Sequence, residues 1–326
     1  MDGNVYISTL VILGLLWLSI WIYNYLSGKN LIKDLVHYVK LNSRSLQGWD
    51  QYHSDISNNS DIVISLTTIP ERIDKLDLTL KSLLYQHTKP ASINIYIPYR
   101  SFRNDRPYNI PEHLNELNNI HVHRVEMDYG PATKFIHALA QYPEKQLILV
   151  VDDDNIYPPN YMEQFEEASR HHPDKILAAS GWRVPDDLID KPTTLKSNIF
   201  KIPPTPVSGR RIKENYAVDV IQGYSGYLLR PEFFNLKELQ DYSSAPKALR
   251  FVDDVWVSAH SSVPKVVFPM HRFCYTPFFK KHLFKSNSLA QINNHNKTTN
   301  EERNNTIGIK HFEDRWLNLQ NDNKSG

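Results

Sequence analysis

Cysteine is almost absent from these 326 residues: Cys274 stands alone, so no internal disulfide can form and a zinc site built on several thiolates is excluded. Excess charge is missing too. With 37 Lys and Arg against 36 Asp and Glu the formal charge is +1, which argues against a nucleic-acid binder working through a strongly basic face. Apolar residues are not scarce: 41% hydrophobic and 22% charged residues lie in the ordinary globular range and exclude disorder throughout. No internal repeat is visible, and the length suits one large domain or two small ones.

The run from Val5 to Leu26, VYISTLVILGLLWLSIWIYNYL, carries no charged residue over 22 positions and has Trp and Tyr towards its end. It is long enough to cross a bilayer as a helix. A cleaved signal peptide wants a basic start, a shorter apolar core and a small-residue cleavage site, so the expectation is an uncleaved anchor in preference to a leader or a buried core helix. Asp2 precedes the run, whereas Lys29, Lys33, Lys40 and Arg44 follow it with Asp34 among them. The positive-inside rule then puts the larger part of the chain in the cytosol. Four N-x-S/T sequons, at Asn58, Asn296, Asn304 and Asn323, would suit a lumenal orientation instead.

Residues 27–60 read as a polar juxtamembrane connector with a short amphipathic start. From Asp61 apolar extended runs (IVISLTT, INIYI, IHVHRVE, QLILVV) alternate with helical patterns, the first placing Ile73, Leu76, Leu80, Leu83 and Leu84 on one face. Such alternation predicts an α/β fold with a mostly parallel sheet flanked by helices, over residues 61–284. From 285 onward 10 of 42 residues are Asn, which predicts a polar, flexible tail to residue 326.

In an open parallel sheet, ligands bind beyond the carboxyl ends of the strands. QLILVV runs into Asp152, Asp153 and Asp154, three carboxylates that would raise one another's pKa unless a cation or solvent relieves them, the latter in an acidic, solvated strand-end turn. Hard oxygen ligands suit Mg2+ or Mn2+, and alternation along an extended segment predicts Asp152 and Asp154 on one side with Asp153 turned away. Asp253 and Asp254, at the start of a helix pattern, are either caps or a general base. Thr67, Thr68 and Arg72 lie in the first strand-to-helix turn, and Asp128, Gly130, Thr133 and Lys134 open a later helix. Both segments offer an anion site suited to a diphosphate, or else ordinary surface charge.

Taken in order, ISLTTIPERI, DYGPATK, VVDDDNIYPP, GYSGYLLRP and FVDDVW resemble the metal-dependent GT-A glycosyltransferases, the nucleotide-diphospho-sugar transferases, in a family-2-related branch. The resemblance spans about residues 61–275. It implies a Rossmann-like GT-A domain that binds a nucleotide-sugar donor, UDP-sugar foremost, and a glycan or lipid-linked acceptor at a membrane, with no nucleic acid. It implies nucleotide contacts from Thr68, Arg72, Asp128, Lys134, Asp152 and Asp153, and Mn2+ or Mg2+ on Asp154 with Asp152. The pair Asp253 and Asp254 would be catalytic, the second as base of an inverting hexosyltransferase-type reaction. Gly223, Tyr224, Ser225 and Gly226 would line the donor sugar and acceptor. A late histidine, His271 or His282, could complete the metal site. The alternatives are a retaining transferase on this fold, a metal-dependent phosphohydrolase and a catalytically silent membrane scaffold.

Overall fold

The computed structural model describes residues 3–27, 29–276 and 297–316. Its first element, the helix Gly3–Ser27, has 25 residues, which at about 1.5 Å per residue exceeds the hydrocarbon thickness of a bilayer. No part of its apolar length is buried against the rest of the protein. It is long and apolar enough to cross a membrane.

The four runs read as extended form β1 (Val63–Thr67), β2 (Ser92–Pro98), β3 (Ile120–Val125) and β4 (Ile148–Val150). Downstream come β5 (Ile176–Ala178), β6 (Ser180–Trp182), β7 (Val207–Ser208), β8 (Tyr216–Val218), β9 (Val220–Ile221), β10 (Tyr227–Leu229) and β11 (Lys265–Val267). The main sheet runs β3-β2-β1-β4-β10-β5-β11-β8, and β7-β6-β9 form a small antiparallel sheet. β1 to β4 are parallel to one another, β10 is antiparallel to both neighbours, and β11 returns parallel to β5. The mostly parallel α/β sheet expected from the alternating pattern is present.

Strand alternation divides the core into two layers. Ile64, Leu66, Leu149 and Val151 point to one face, packed by the helices Asp77–Leu84 and Tyr161–His171. Val63, Ile148 and Val150 point to the other, where the helices Thr133–Gln141 and Asp253–Ala259 cover them. Because β1 pairs with β2 on one side and β4 on the other, the strand order reverses between β1 and β4, which opens a crevice beyond their carboxyl ends.

Two expectations are corrected. Residues 31–54 are not a polar connector: the helices Leu31–Leu41 and Leu46–Ser54 pack on the domain, with Leu41 and Trp49 wholly buried. Trp49 packs against Tyr85, the rings tilted at 48°, and donates to the Leu41 carbonyl at 2.9 Å, while the buried Asp50 carboxylate accepts from the backbone N–H groups of Asn118 and Asn119. So few apolar residues carry this contact that composition alone reads as linker. Nor is the C-terminal part wholly a loose tail, because the helix Asn304–His311 and Trp316 pack on the second layer, and Arg303 pairs with Asp190 at 2.8 Å. Ile309 and Trp316 suffice to dock a segment whose Asn content suggested none.

Candidate active site

The β1 and β4 ends meet through Arg72 and Thr68. The Thr68 hydroxyl donates to Asp153 Oδ2 at 2.6 Å, and Arg72 Nη1 lies 2.8 Å from Asp153 Oδ1 and 3.2 Å from Asp154 Oδ2. The Thr79 hydroxyl, from the following helix, bonds to the carbonyls of Asp153 and Asn155 and holds the acidic segment in place. The expectation that Asp152 and Asp154 share one side, with Asp153 turned away, is not met. Asp153 and Asp154 occupy a turn instead of an extended segment, so strand alternation does not apply there, and these two share Arg72 while Asp152 turns to Lys134. Burial, then Asp153 and Asp152, push the Asp154 carboxyl up to about 7.

Lys134 opens the helix Thr133–Gln141 and is 4% exposed. Its Nζ lies 2.6 Å from Asp152 Oδ1 and 2.9 Å from Asp253 Oδ2, joining the acidic triplet to the second acidic pair. Burial works against its charge, but Asp152 and Asp253 hold its pKa well above the ordinary lysine range.

The capping alternative for the second pair fails on geometry. Val252 occupies the N-cap of Asp253–Ala259, and no side chain caps that helix. Asp254 Oδ1 instead accepts from the Gly223 N–H at 2.8 Å, in the GYSG turn. Burial, then Asp253, raise the Asp254 carboxyl well above the usual carboxylate range. Gly223 allows this close approach: a Cβ there would stand 2.7 Å from Lys134 Nζ and 3.1 Å from Asp254 Oδ1, so both side chains would have to shift.

The other expected residues divide. Tyr224 lines the same cavity and its carbonyl accepts from Asn155 Nδ2 at 2.8 Å, so the GYSG turn is stitched to the acidic segment. Ser225 turns inward to the Ser180 hydroxyl, and Gly226, at φ +83°, turns the chain into β10. Asp128 reaches the cavity wall, but its carboxylate accepts from Gly130 N, the Thr133 hydroxyl and Phe102 N, so it closes its own turn and anchors the loop after β2. His271 is exposed and stands outside the cavity lining, and His282 lies outside the described residues.

The resulting cavity has a volume of 360 Å³. Sequence reading missed Arg103, from the loop after β2, and Asn305, from the C-terminal helix, both in its wall. The strand-end rule pointed to the first; nothing in the Asn-rich sequence marked the second. Burial and neighbouring Arg72 lower the Arg103 pKa. Six carboxyl groups (Asp128, Asp152, Asp153, Asp154, Asp253, Asp254) face three cationic side chains (Arg72, Arg103, Lys134). Hard oxygens in excess fit a divalent cation. Among the described residues no three His, Cys, Asp or Glu side chains converge as a closed ligand cage, so such an ion would take its remaining ligands from phosphate and water, as Mg2+ commonly does.

By sequence, the chain matches no protein-family profile and no curated protein. By structure, it is similar to S. aureus TarS. The crystal structure of TarS 1-349 aligns at 15% identity and a TM-score of 0.35, over 82% of this chain and 73% of that one. TarS 1-349 in complex with UDP aligns at 13% identity and 0.39, over 81% and 72%. The longer TarS structure gives 15% and 0.41, over 79% of this chain but 43% of its own length.

Proposed function

We propose that the chain is a membrane-anchored, metal-dependent glycosyltransferase that moves a sugar from a nucleoside-diphosphate donor, UDP-sugar foremost, to a hydroxyl of a glycan or lipid-linked acceptor, with inversion. The observation that carries this reading is the charge balance at the β1/β4 crevice: six carboxyl groups and three buried or half-buried cations in one cavity. Even with the proton affinities of Asp154 and Asp254 raised, the carboxyls outnumber the cations, and a divalent cation would ease the entry of a diphosphate beside them. Asp154 would hold Mn2+ or Mg2+, with Asp152 joining it by turning from its Lys134 contact, and the ion would supply charge neutralisation for the departing nucleoside diphosphate.

The chain's own residues perform the rest. Arg72 fixes Asp153 and Asp154, and with Arg103 it presents guanidinium charge to the cavity. Lys134 keeps Asp152 and Asp253 oriented between the two acidic segments. Asp254 is the general base. Fixed through one oxygen by the Gly223 N–H, and with its proton affinity raised by burial, it takes the acceptor hydroxyl proton as that oxygen attacks the anomeric carbon. The glycosidic bond to the diphosphate breaks on the opposite side of that carbon, so the configuration inverts. The exposed apolar helix Gly3–Ser27 is the anchor, and the basic residues after it put the catalytic domain on the cytosolic side.

The test is a transfer assay on the full chain with a panel of labelled nucleotide sugars, hydroxyl acceptors and Mn2+. Glycosylated acceptor and free nucleoside diphosphate in equal amounts are expected. Inorganic phosphate without sugar transfer would replace the reading with a phosphohydrolase, and no turnover or donor binding would leave a scaffold.

A further inference from the structure

The helix Leu31–Leu41 is amphipathic, but it docks by its polar side. Asp34 pairs with Arg272 at 3.0 Å, the Tyr275 hydroxyl lies 3.0 Å from His37 Nδ1, and His37 and Leu41 are buried. The apolar stripe faces outward: Ile32 is 58% exposed, Leu35 54%, Val36 64% and Val39 61%. Their spacing, i, i+3, i+4 and i+7, makes one continuous face. A helix in water turns such a face to its own core.

We propose that this face lies in the interfacial layer of a bilayer containing anionic lipid, so that the catalytic domain is seated on the membrane as well as tethered to it. The proposal rests on reading Gly3–Ser27 as a span. Continuity places the stripe at the membrane surface: the Leu31 N–H donates to Asn24 Oδ1 at 2.8 Å, fixing the start of the second helix to the last turns of the first. A second exposed apolar pair, Phe200 and Ile202, flanks Lys201, whose Nζ reaches the Leu26 carbonyl at 3.3 Å. Arg211 and Arg210 also contact this end, through the carbonyls of Leu26 and Lys29. Lys33 and Lys40, seven residues apart, border the stripe along one edge and can send their ammonium groups to head groups while their stems stay among apolar atoms. Between the two helices runs an apolar groove of 470 Å³, lined by Leu16, Ile20, Tyr23, Leu31, Leu35 and Tyr38, of a chemistry that takes an acyl chain.

The test uses the full chain in nanodiscs holding one copy each, of phosphatidylcholine with or without phosphatidylserine. A nitroxide is attached at Leu13→Cys, Val36→Cys or Asp241→Cys, with buried Cys274 as the unlabelled background. Oxygen should relax the probes at 13 and 36 more than a water-soluble nickel chelate does, and the ratio should reverse at 241. Phosphatidylserine should shift position 36 further toward the lipid ratio, and Lys33→Gln with Lys40→Gln should remove that shift. A chelate-exposed probe at 36 beside a lipid-exposed probe at 13 overturns the proposal while leaving the span intact. Chelate exposure at both positions overturns the span reading itself. A lipid-like ratio at 36 only in discs holding two copies assigns the stripe to a second chain and overturns the proposal, and indifference to phosphatidylserine overturns its anionic part.

Discussion

Asp152 and Asp253, far apart in sequence, share one buried ammonium: Lys134 Nζ lies 2.6 Å from the first and 2.9 Å from the second. Removing that charge while keeping the bulk, in Lys134→Met, leaves two carboxylates facing each other without a cation. Breaking a buried pair in this way costs about 3 to 5 kcal/mol. The expected result is a large drop in the denaturant midpoint together with loss of donor binding. A midpoint near that of the wild type would show that the carboxylates find another partner.

The two members of the second acidic pair should behave differently. Asp254→Asn keeps an oxygen for the Gly223 N–H and removes the base, so stability and donor affinity stay near wild type while turnover falls by roughly 10²-fold or more. Asp253→Asn removes a counter-charge of Lys134 and should lower stability as well. Thermal midpoints and initial transfer rates for both variants separate the roles. Full activity in Asp254→Asn would move the base elsewhere.

The raised pKa of Asp154 has a pH signature in the ligand-free protein. Its folded value of about 7 stands above the ordinary carboxyl value, so the folded state binds the extra proton. The stability contributed by this group is fully present below about pH 4 and is lost as pH rises towards and through about 7. Asp154→Asn should flatten that part of the profile in thermal midpoints measured from pH 4 to 8. An unchanged slope would assign the titration to another group.

Much of the scaffold was legible because strands β1, β2 and β4 are buried on both faces and so read as short apolar runs, each set apart from the next by a helical or polar stretch. The candidate site was legible because strand ends focus chemistry, and Asp152 to Asp154, Lys134 and Asp254 do converge. What stayed hidden depends on single residues in polar surroundings. Trp49, Asp50, Ile309 and Trp316 bind their segments to the core with no periodic signal, and Arg103 from a loop and Asn305 from the C-terminal helix reach the cavity by a path that only the fold determines. The side on which each aspartate falls was likewise fixed by a turn, not by strand alternation.

The docked helix Leu46–Ser54 makes residues before Asp61 part of the stable unit. Trp49→Ala should cost about 3 to 5 kcal/mol, the range for emptying a large buried aromatic site. A chain shortened to begin at residue 61 should lose at least as much and aggregate, whereas one beginning near residue 31, which retains Leu41, should keep the Trp49 and Asp50 contacts. Urea denaturation of the two shortened chains decides the point, and equal stability would return the segment to the status of a linker.

Calorimetric titration of the full chain with UDP, in Mn2+ and then in excess chelator, tests the central claim that the acidic crevice takes a nucleoside diphosphate together with a cation. Binding in Mn2+, its loss in chelator, and its loss in Asp154→Ala at unchanged folded content are the predicted results. UDP binding that is equally tight without the metal and in Asp154→Ala would contradict the account, as would no binding of UDP or any other nucleoside diphosphate to the folded wild-type chain.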